Sequence, residues 1–316
     1  MTATVQAPRT TSDPEERARW HRPLLVIAAL MGMLAVVSLV GLVVDPREVT
    51  GLPLWAKPLK FALSTAIYAL TLAWLISQFT RFTRAAHLLG TITTIALAIE
   101  MVIITGFAAT GETSHFNVST GLHTAAWAVM AISIVAVWVI SLFVAATLLR
   151  TPLGDPARAL AIRSGAIIGV IGLALAFLMT GPQATQLENF QGIVGAHTVG
   201  LADGGPGLPL LGWSTVGGDL RIPHFVGMHA LQALPLLAFG LELLGKRTPR
   251  LASAVVRWRL VAIAAVAYAG LTALVTWQAL IGQPITRPEG GALIIGVTLA
   301  IGTVAAALLA LRRPAA

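Results

Sequence analysis

Eight apolar stretches dominate this 316-residue chain, each close to the roughly twenty residues that cross a hydrocarbon layer of about 30 Å. They lie near 24–44, 56–77, 88–108, 122–149, 164–181, 225–245, 260–281 and 291–311. Lipid offers the backbone no hydrogen-bond partner, so continuous spans of this kind satisfy their own N–H and C=O groups as helices. Too little chain remains for a separate soluble core. The expectation is an all-α fold in which 24–311 form one transmembrane bundle of about eight helices. A polar tail over 1–23 precedes it and a short tail over 312–316 follows.

Basic residues near span ends stay on the cytoplasmic side, which orients the bundle. With the N-terminus inside, the inside segments hold Arg9, Arg17, Arg19 and Arg22, then Arg81 and Arg84, then Arg150, Arg158 and Arg163. Lys246, Arg247, Arg250, Arg257 and Arg259 follow, and Arg312 and Arg313 end the set. Sixteen of the 21 Lys and Arg residues are therefore inside, leaving Arg47, Lys57, Lys60, Arg221 and Arg287 outside. Both termini are expected in the cytoplasm. The net charge of +8 follows from this topology and from lipid headgroups, and no nucleic-acid partner is implied. The first 23 residues mix Asp13, Glu15 and Glu16 with arginines and read as a tail, not a signal peptide, with the first span directing insertion. The absence of cysteine excludes disulfides, thiolate nucleophiles and Cys-ligated metal centres.

Polar side chains are scarce in a chain that is 56% hydrophobic and 11% charged, so their placement is informative. Five of the seven histidines, His115, His123, His197, His224 and His229, fall at the outer face. One outer connection, Gln183 to Pro223, is about forty residues long and rich in Leu, Trp and Pro. Disordered segments are poor in apolar residues, so this loop is expected to fold back over the outer mouth. KPLKF at 57–61 and RIPHF at 221–225 open spans two and six, which suggests a duplicated four-helix unit with its axis along the membrane normal.

Glu100 lies about two residues past the middle of span three, where an ionised carboxylate costs roughly 2.5–3.5 kcal/mol. It is either a functional group or a neutral Glu bonded to a threonine such as Thr94. Lys57 and Lys60 flank Pro58 at the start of span two. Lys57 reads as a residue that snorkels beside Trp55 or meets a ligand. Lys60, roughly 6 Å further in, could reach Glu100 or hold an anion. In ETSHFNVSTGLH (112–123), Ser119 or Thr120 caps span four, which leaves His115, Asn117 and His123 as candidate ligand contacts.

The densest stretch is GGDLRIPHFVGMHALQALP, 217–235. Asp219 and Arg221 can pair with each other or with a substrate. His229 and Gln232 share a helix face, whereas His224 is turned away from His229 by about 140°. A joint site is therefore more natural between helices. His123 and His229 could ligate haem b, or copper or zinc with His115 or Met228, or simply hydrogen-bond the loop. Gln183, Gln186, Glu188, Trp277 and Gln278 suggest a polar cavity open to the outside.

WxKPxKF at Trp55–Phe61, SHFN at 114–117 and GWSTxGGDLRxxHFxGxHALQ from Gly212 to Gln232 resemble a family of uncharacterised bacterial polytopic membrane proteins. The resemblance covers nearly all spans and implies an eight-helix protein of the bacterial plasma membrane. It brings no activity with it. Haem A synthases share the span count but place ligand histidines in even-numbered spans, and spans two and eight here have none.

Three readings follow. In the first, a membrane redox or metal protein uses His123 and His229 as axial ligands, with Glu100, Lys60, Asp219 and Arg221 handling protons or a quinone-like substrate bound near Lys57, His115, Asn117, His224 and Gln232. In the second, a transporter of a small anionic solute is coupled through Glu100. The third is a structural or assembly subunit that meets a protein partner. The inner half offers little polar beyond Glu242, which favours the first.

Overall fold

The computed structural model describes residues 20–312. The tail residues Arg9, Asp13, Glu15, Glu16, Arg17, Arg19 and Arg313 lie outside them. Among the described residues, eight helices are long and apolar enough to cross a membrane. Counting only these, α1 is Arg22–Val44, α2 Ala56–Ser77, α3 Thr83–Thr110 and α4 Gly121–Arg150. They are followed by α5 Pro156–Ala174, α6 Arg221–Gly245, α7 Ala254–Leu280 and α8 Gly290–Arg312. The protein is an all-α, polytopic membrane bundle.

At the starts of α1, α4 and α5 local chemistry satisfies free N–H groups. The imidazole of His21 accepts from the Leu24 amide at the start of α1. Thr120, not Ser119, caps α4 by accepting from the His123 amide. Asp155 caps α5 by accepting from Ala157 and Arg158, and Pro156 fills the first turn, where a missing N–H costs nothing. Four helices start four or more residues earlier than their apolar stretches: α3 at Thr83, α5 at Pro156, α6 at Arg221 and α7 at Ala254. Each of these first turns carries an arginine, Arg84, Arg158, Arg221 or Arg257, which an apolar window leaves out. Span five is instead broken: α5 gives way to a 3-10 turn, Leu175–Met179, before Gly181 and Pro182.

Each helix packs mainly within its own half. In the first half α1 packs on α2 and α3, α2 on α3, and α3 on α4. In the second, α5 packs on α6 and α7, α6 on α7, and α7 on α8. The apolar cores divide similarly, one dominated by residues of α1–α4 and another by residues of α5–α7. The α4–α5 contact joins the halves, and Gln232 on α6 donates to the Thr71 hydroxyl on α2.

The seam between α5 and α6 is unusually close. A methyl group placed on Gly172 would strike the backbone of Gly227 and Met228, and one on Gly165 would lie 2.7 Å from the Ala230 carbonyl oxygen. Small residues let helix backbones approach where lipid supplies no hydrophobic drive. His224 then bridges the seam, donating from Nδ1 to the Gly172 carbonyl at 2.8 Å.

The long 183–223 connection folds over one end of the bundle, with more order than its sequence suggests. Ala184–Glu188 form a short helical turn, and isolated β-bridges pair Asn117 with Ile193, Thr198 with Asp219, and Gly207 with Ser214. Beneath it a third apolar cluster gathers Phe116, Met179, Leu220 and Ala279. A two-stranded hairpin, Glu48–Val49 and Leu52–Pro53, joins α1 to α2 through Thr50 and Gly51, both at positive φ. Gly51 sits against the Gly204 carbonyl, so hairpin and loop touch.

Candidate functional site

A chain of titratable side chains runs from the middle of α3 to the outer loop. Glu100 is 4% exposed, and its Oε1 lies 3.8 Å from Nε2 of His115. Its other oxygen, Oε2, is buried with no hydrogen-bond partner among the described residues. Thr94 donates to the Gly90 carbonyl on its own helix, so it is not the partner that could hold a neutral Glu100.

His115 is brought inward by the 111–120 connection. Its Nδ1 meets both the Lys57 ammonium and the Ser114 hydroxyl at 3.1 Å. Lys57 can only donate, so Nδ1 is an acceptor, the proton of the neutral ring sits on Nε2, and that N–H faces Glu100. Burial, with the nearby Lys57 ammonium and His197, holds the imidazole well below its ordinary pKa of 6.5. Phe61 and Trp127 wall the ring at centroid distances of 5.5 and 5.6 Å. Lys57, expected to snorkel, instead turns into the protein. It is Lys57, not Lys60, that reaches toward Glu100, by way of His115.

Lys60 and Arg221 grip the outer loop. Lys60 donates to the Leu211 carbonyl at 2.8 Å, and Arg221 donates to the neighbouring Gly212 carbonyl. Asp219, 1% exposed, accepts from the Ser214 amide, the Arg221 amide and the Arg221 guanidinium. Every lone pair that Asp219 needs to place is used in holding the loop, so its visible work is structural. Asn117 is similar: its carbonyl accepts from the Ser119 amide and hydroxyl, and its amide donates to Thr113.

His229 donates to the Gln232 side chain at 3.2 Å, and Phe225 lies edge-on to its ring. His123 sits elsewhere, against Phe107 of α3, with Nε2 3.5 Å from a Glu112 carboxylate oxygen. Among the described residues His123 and His229 share no hydrogen-bond, ion-pair or ring partner, which lends no support to a shared cofactor. Among the described residues no group of three or more His, Asp or Glu is spaced to hold a metal ion. His224 is occupied by the Gly172 carbonyl.

The glutamines expected to line an open cavity are engaged with the backbone. Gln183 and Gln186 form a capping box and bond Thr198 and Gly195, and Gln278 donates to the Pro284 carbonyl. Glu188 and Trp277 are exposed at the surface. At the opposite end of the bundle, ion pairs Arg158–Glu242 at 2.6 Å and Arg257–Asp155 at 2.7 Å tie α5 to α6 and α7.

One pair was missed in the sequence. His197 Nδ1 lies 2.6 Å from Asp203 Oδ2, and the His197 amide donates to the same carboxylate. Burial lowers the His197 pKa although Asp203 opposes it. Burial works against ionisation of Asp203, yet its hydrogen bonds from His197 hold the carboxyl below the usual range. Phe116, at φ +64°, wedges its ring between His197 and His115, 5.0 and 6.0 Å from each centroid. The only advance signal was a His and an Asp six residues apart in a glycine-rich loop.

Fold and site together define a multi-pass α-helical membrane protein with a buried titratable cluster under the folded 183–223 loop. Compared with known proteins, the chain matches no family model, no curated protein and no solved structure.

Proposed function

We propose that the protein acts at its extracytoplasmic face, where Glu100, His115 and Lys57 bind and release a proton in step with a small anionic or quinone-like ligand. The observation that carries this reading is the Glu100 carboxylate, buried with one oxygen unpartnered and the other facing the His115 N–H. A buried acid left half-satisfied is costly to keep as a purely structural group. Lys57 and Lys60 give this mouth the positive charge that would draw an anion, the charge of Arg221 being matched by Asp219. On this reading the membrane is the bacterial plasma membrane, and the three motifs mark common descent with the family they resemble.

Infrared difference spectra of the protein in bilayers, recorded across pH, test the reading. A carboxyl C=O band should appear on acidification and be missing in Glu100→Gln, with insertion unchanged. No such titrating band would remove the proton-handling role. A reduced-minus-oxidised absorption spectrum with metal analysis of the same sample then separates redox from non-redox chemistry. Sharp haem bands would restore His123 and His229 as candidate ligands, each to be tested by substitution with Ala.

A second reading, proton-coupled transport of a small anion, is favoured by the repeated contact pattern of α1–α4 and α5–α8, since repeats are common in transporters. The Arg158–Glu242 and Arg257–Asp155 pairs at the inner end would then have to open for release.

A further inference from the structure

Side-chain exposure falls steadily along the titratable groups from the loop to the membrane interior. It is 25% at Asp203, 22% at His197, 16% at His115 and 5% at Glu100. The outer two form a carboxylate–imidazole pair in the same arrangement that orients a general base, with the carboxylate fixing which ring nitrogen carries the proton. Because Nδ1–H of His197 is given to Asp203, Nε2 is the nitrogen free to gain and lose a proton. The charges of Lys57, Arg221 and Asp203 act on His197, and those of Lys57 and His197 act on His115. Phe116 lies against both rings.

We infer that the His197–Asp203 pair is the port through which Glu100 exchanges its proton with the outside. The inference rests on the proton-handling reading of Glu100 given above. One proton enters on Nε2 of His197, and Asp203 stabilises the imidazolium without taking the proton. Lys57 then gives one ammonium proton to Nδ1 of His115, while the Nε2–H of His115 passes to Glu100. Lys57 recovers its proton from Nε2 of His197. The sum is one proton moved from outside to Glu100, with His197 neutral, Lys57 charged again and His115 neutral but now carrying its proton on Nδ1; the reverse transfer, as Glu100 gives its proton back, returns His115 to its Nε2–H form. No oxidant or further reactant is required.

The test follows the Glu100 carboxyl band by time-resolved infrared spectroscopy after a jump into D2O, in protein reconstituted in bilayers. His197→Ala and Asp203→Asn should slow its H/D exchange on the order of 10²-fold while leaving the band's equilibrium amplitude intact. Thr198→Val, which alters a neighbour of the same carboxylate but no proton carrier, should leave the rate near that of the parent. Imidazole added to His197→Ala should restore the rate. Unslowed exchange in both variants overturns the port and leaves the Glu100 reading standing. Slow exchange that imidazole does not restore assigns His197 a structural role and also overturns it. Absence of a titrating Glu100 band in the parent overturns the port together with the reading beneath it.

Discussion

Asp219 and Glu100 are both nearly inaccessible carboxylates, but their surroundings assign them different work. Asp219 is saturated by Ser214 and Arg221, and removing one member of a buried pair leaves the other charge uncompensated. Asp219→Ala should therefore cost roughly 3–5 kcal/mol, read as loss of the 189–220 loop to protease before the helices unfold. Glu100→Gln removes no such clamp and should leave stability nearly unchanged. Equal destabilisation by the two would contradict the distinction. Acid should act on the same loop. Folding depresses His115, His197 and Asp203, so the unfolded chain binds more protons and stability rises with pH. The imidazole contributions are complete above the ordinary value of 6.5 and are lost as pH falls below it, whereas that of Asp203 is lost only below 3.8. Hydrogen exchange of the loop amides, corrected for intrinsic rate, should show weaker protection at acid pH than at neutral pH. Protection that did not change would mean that the two rings are not held neutral by the fold.

Among the elements, the α5–α6 seam is where backbone contact decides packing. Gly172→Ala would drive a methyl group into Gly227 and disturb the His224 bond to the Gly172 carbonyl, so a loss of about 1–3 kcal/mol is expected. Gly106→Ala on α3 meets nothing within 4 Å and should be neutral or stabilising, within about 1 kcal/mol. Unfolding of both variants in mild detergent checks the pair, and similar losses would refute close packing as the cause. The eight helices themselves were legible because hydropathy reports burial in lipid directly. Their ends were not, since Arg221 and Thr83 begin helices with polar turns that no apolar window includes. The site was legible only as parts. Glu100, His115 and Lys57 each stood out by type, but their meeting depends on a loop turning inward and on a lysine choosing protein over headgroup. The roles of Asp219, Asn117 and His224 as braces depended on backbone partners far away in sequence, which spacing does not reveal.

At the scale of the whole molecule, the two halves repeat one pattern of helix contacts, while the chemistry is shared unequally between them. Lys57 and Arg221 open α2 and α6 at matching places in the repeat, but the first turns toward His115 and Glu100 and the second toward loop carbonyls. The two halves thus share a packing pattern, and the buried acid Glu100 lies in only one of them. The loop from the second half covers the site in the first, so the site exists only when both halves are assembled on the same side of the membrane. Sidedness is therefore the property on which everything at the outer face depends, and the basic loops at the opposite end make it testable. The chain contains no cysteine, so a single introduced thiol reports its own position without background. Gly205 lies in the outer loop with open space around it, and Lys246 is exposed between α6 and α7. A membrane-impermeant maleimide applied to intact cells, in which the outer face is accessible, should label Gly205→Cys and spare Lys246→Cys until the membrane is permeabilised. The reverse pattern would invert the bundle and place the Glu100 site, with its His197 port, on the cytoplasmic side.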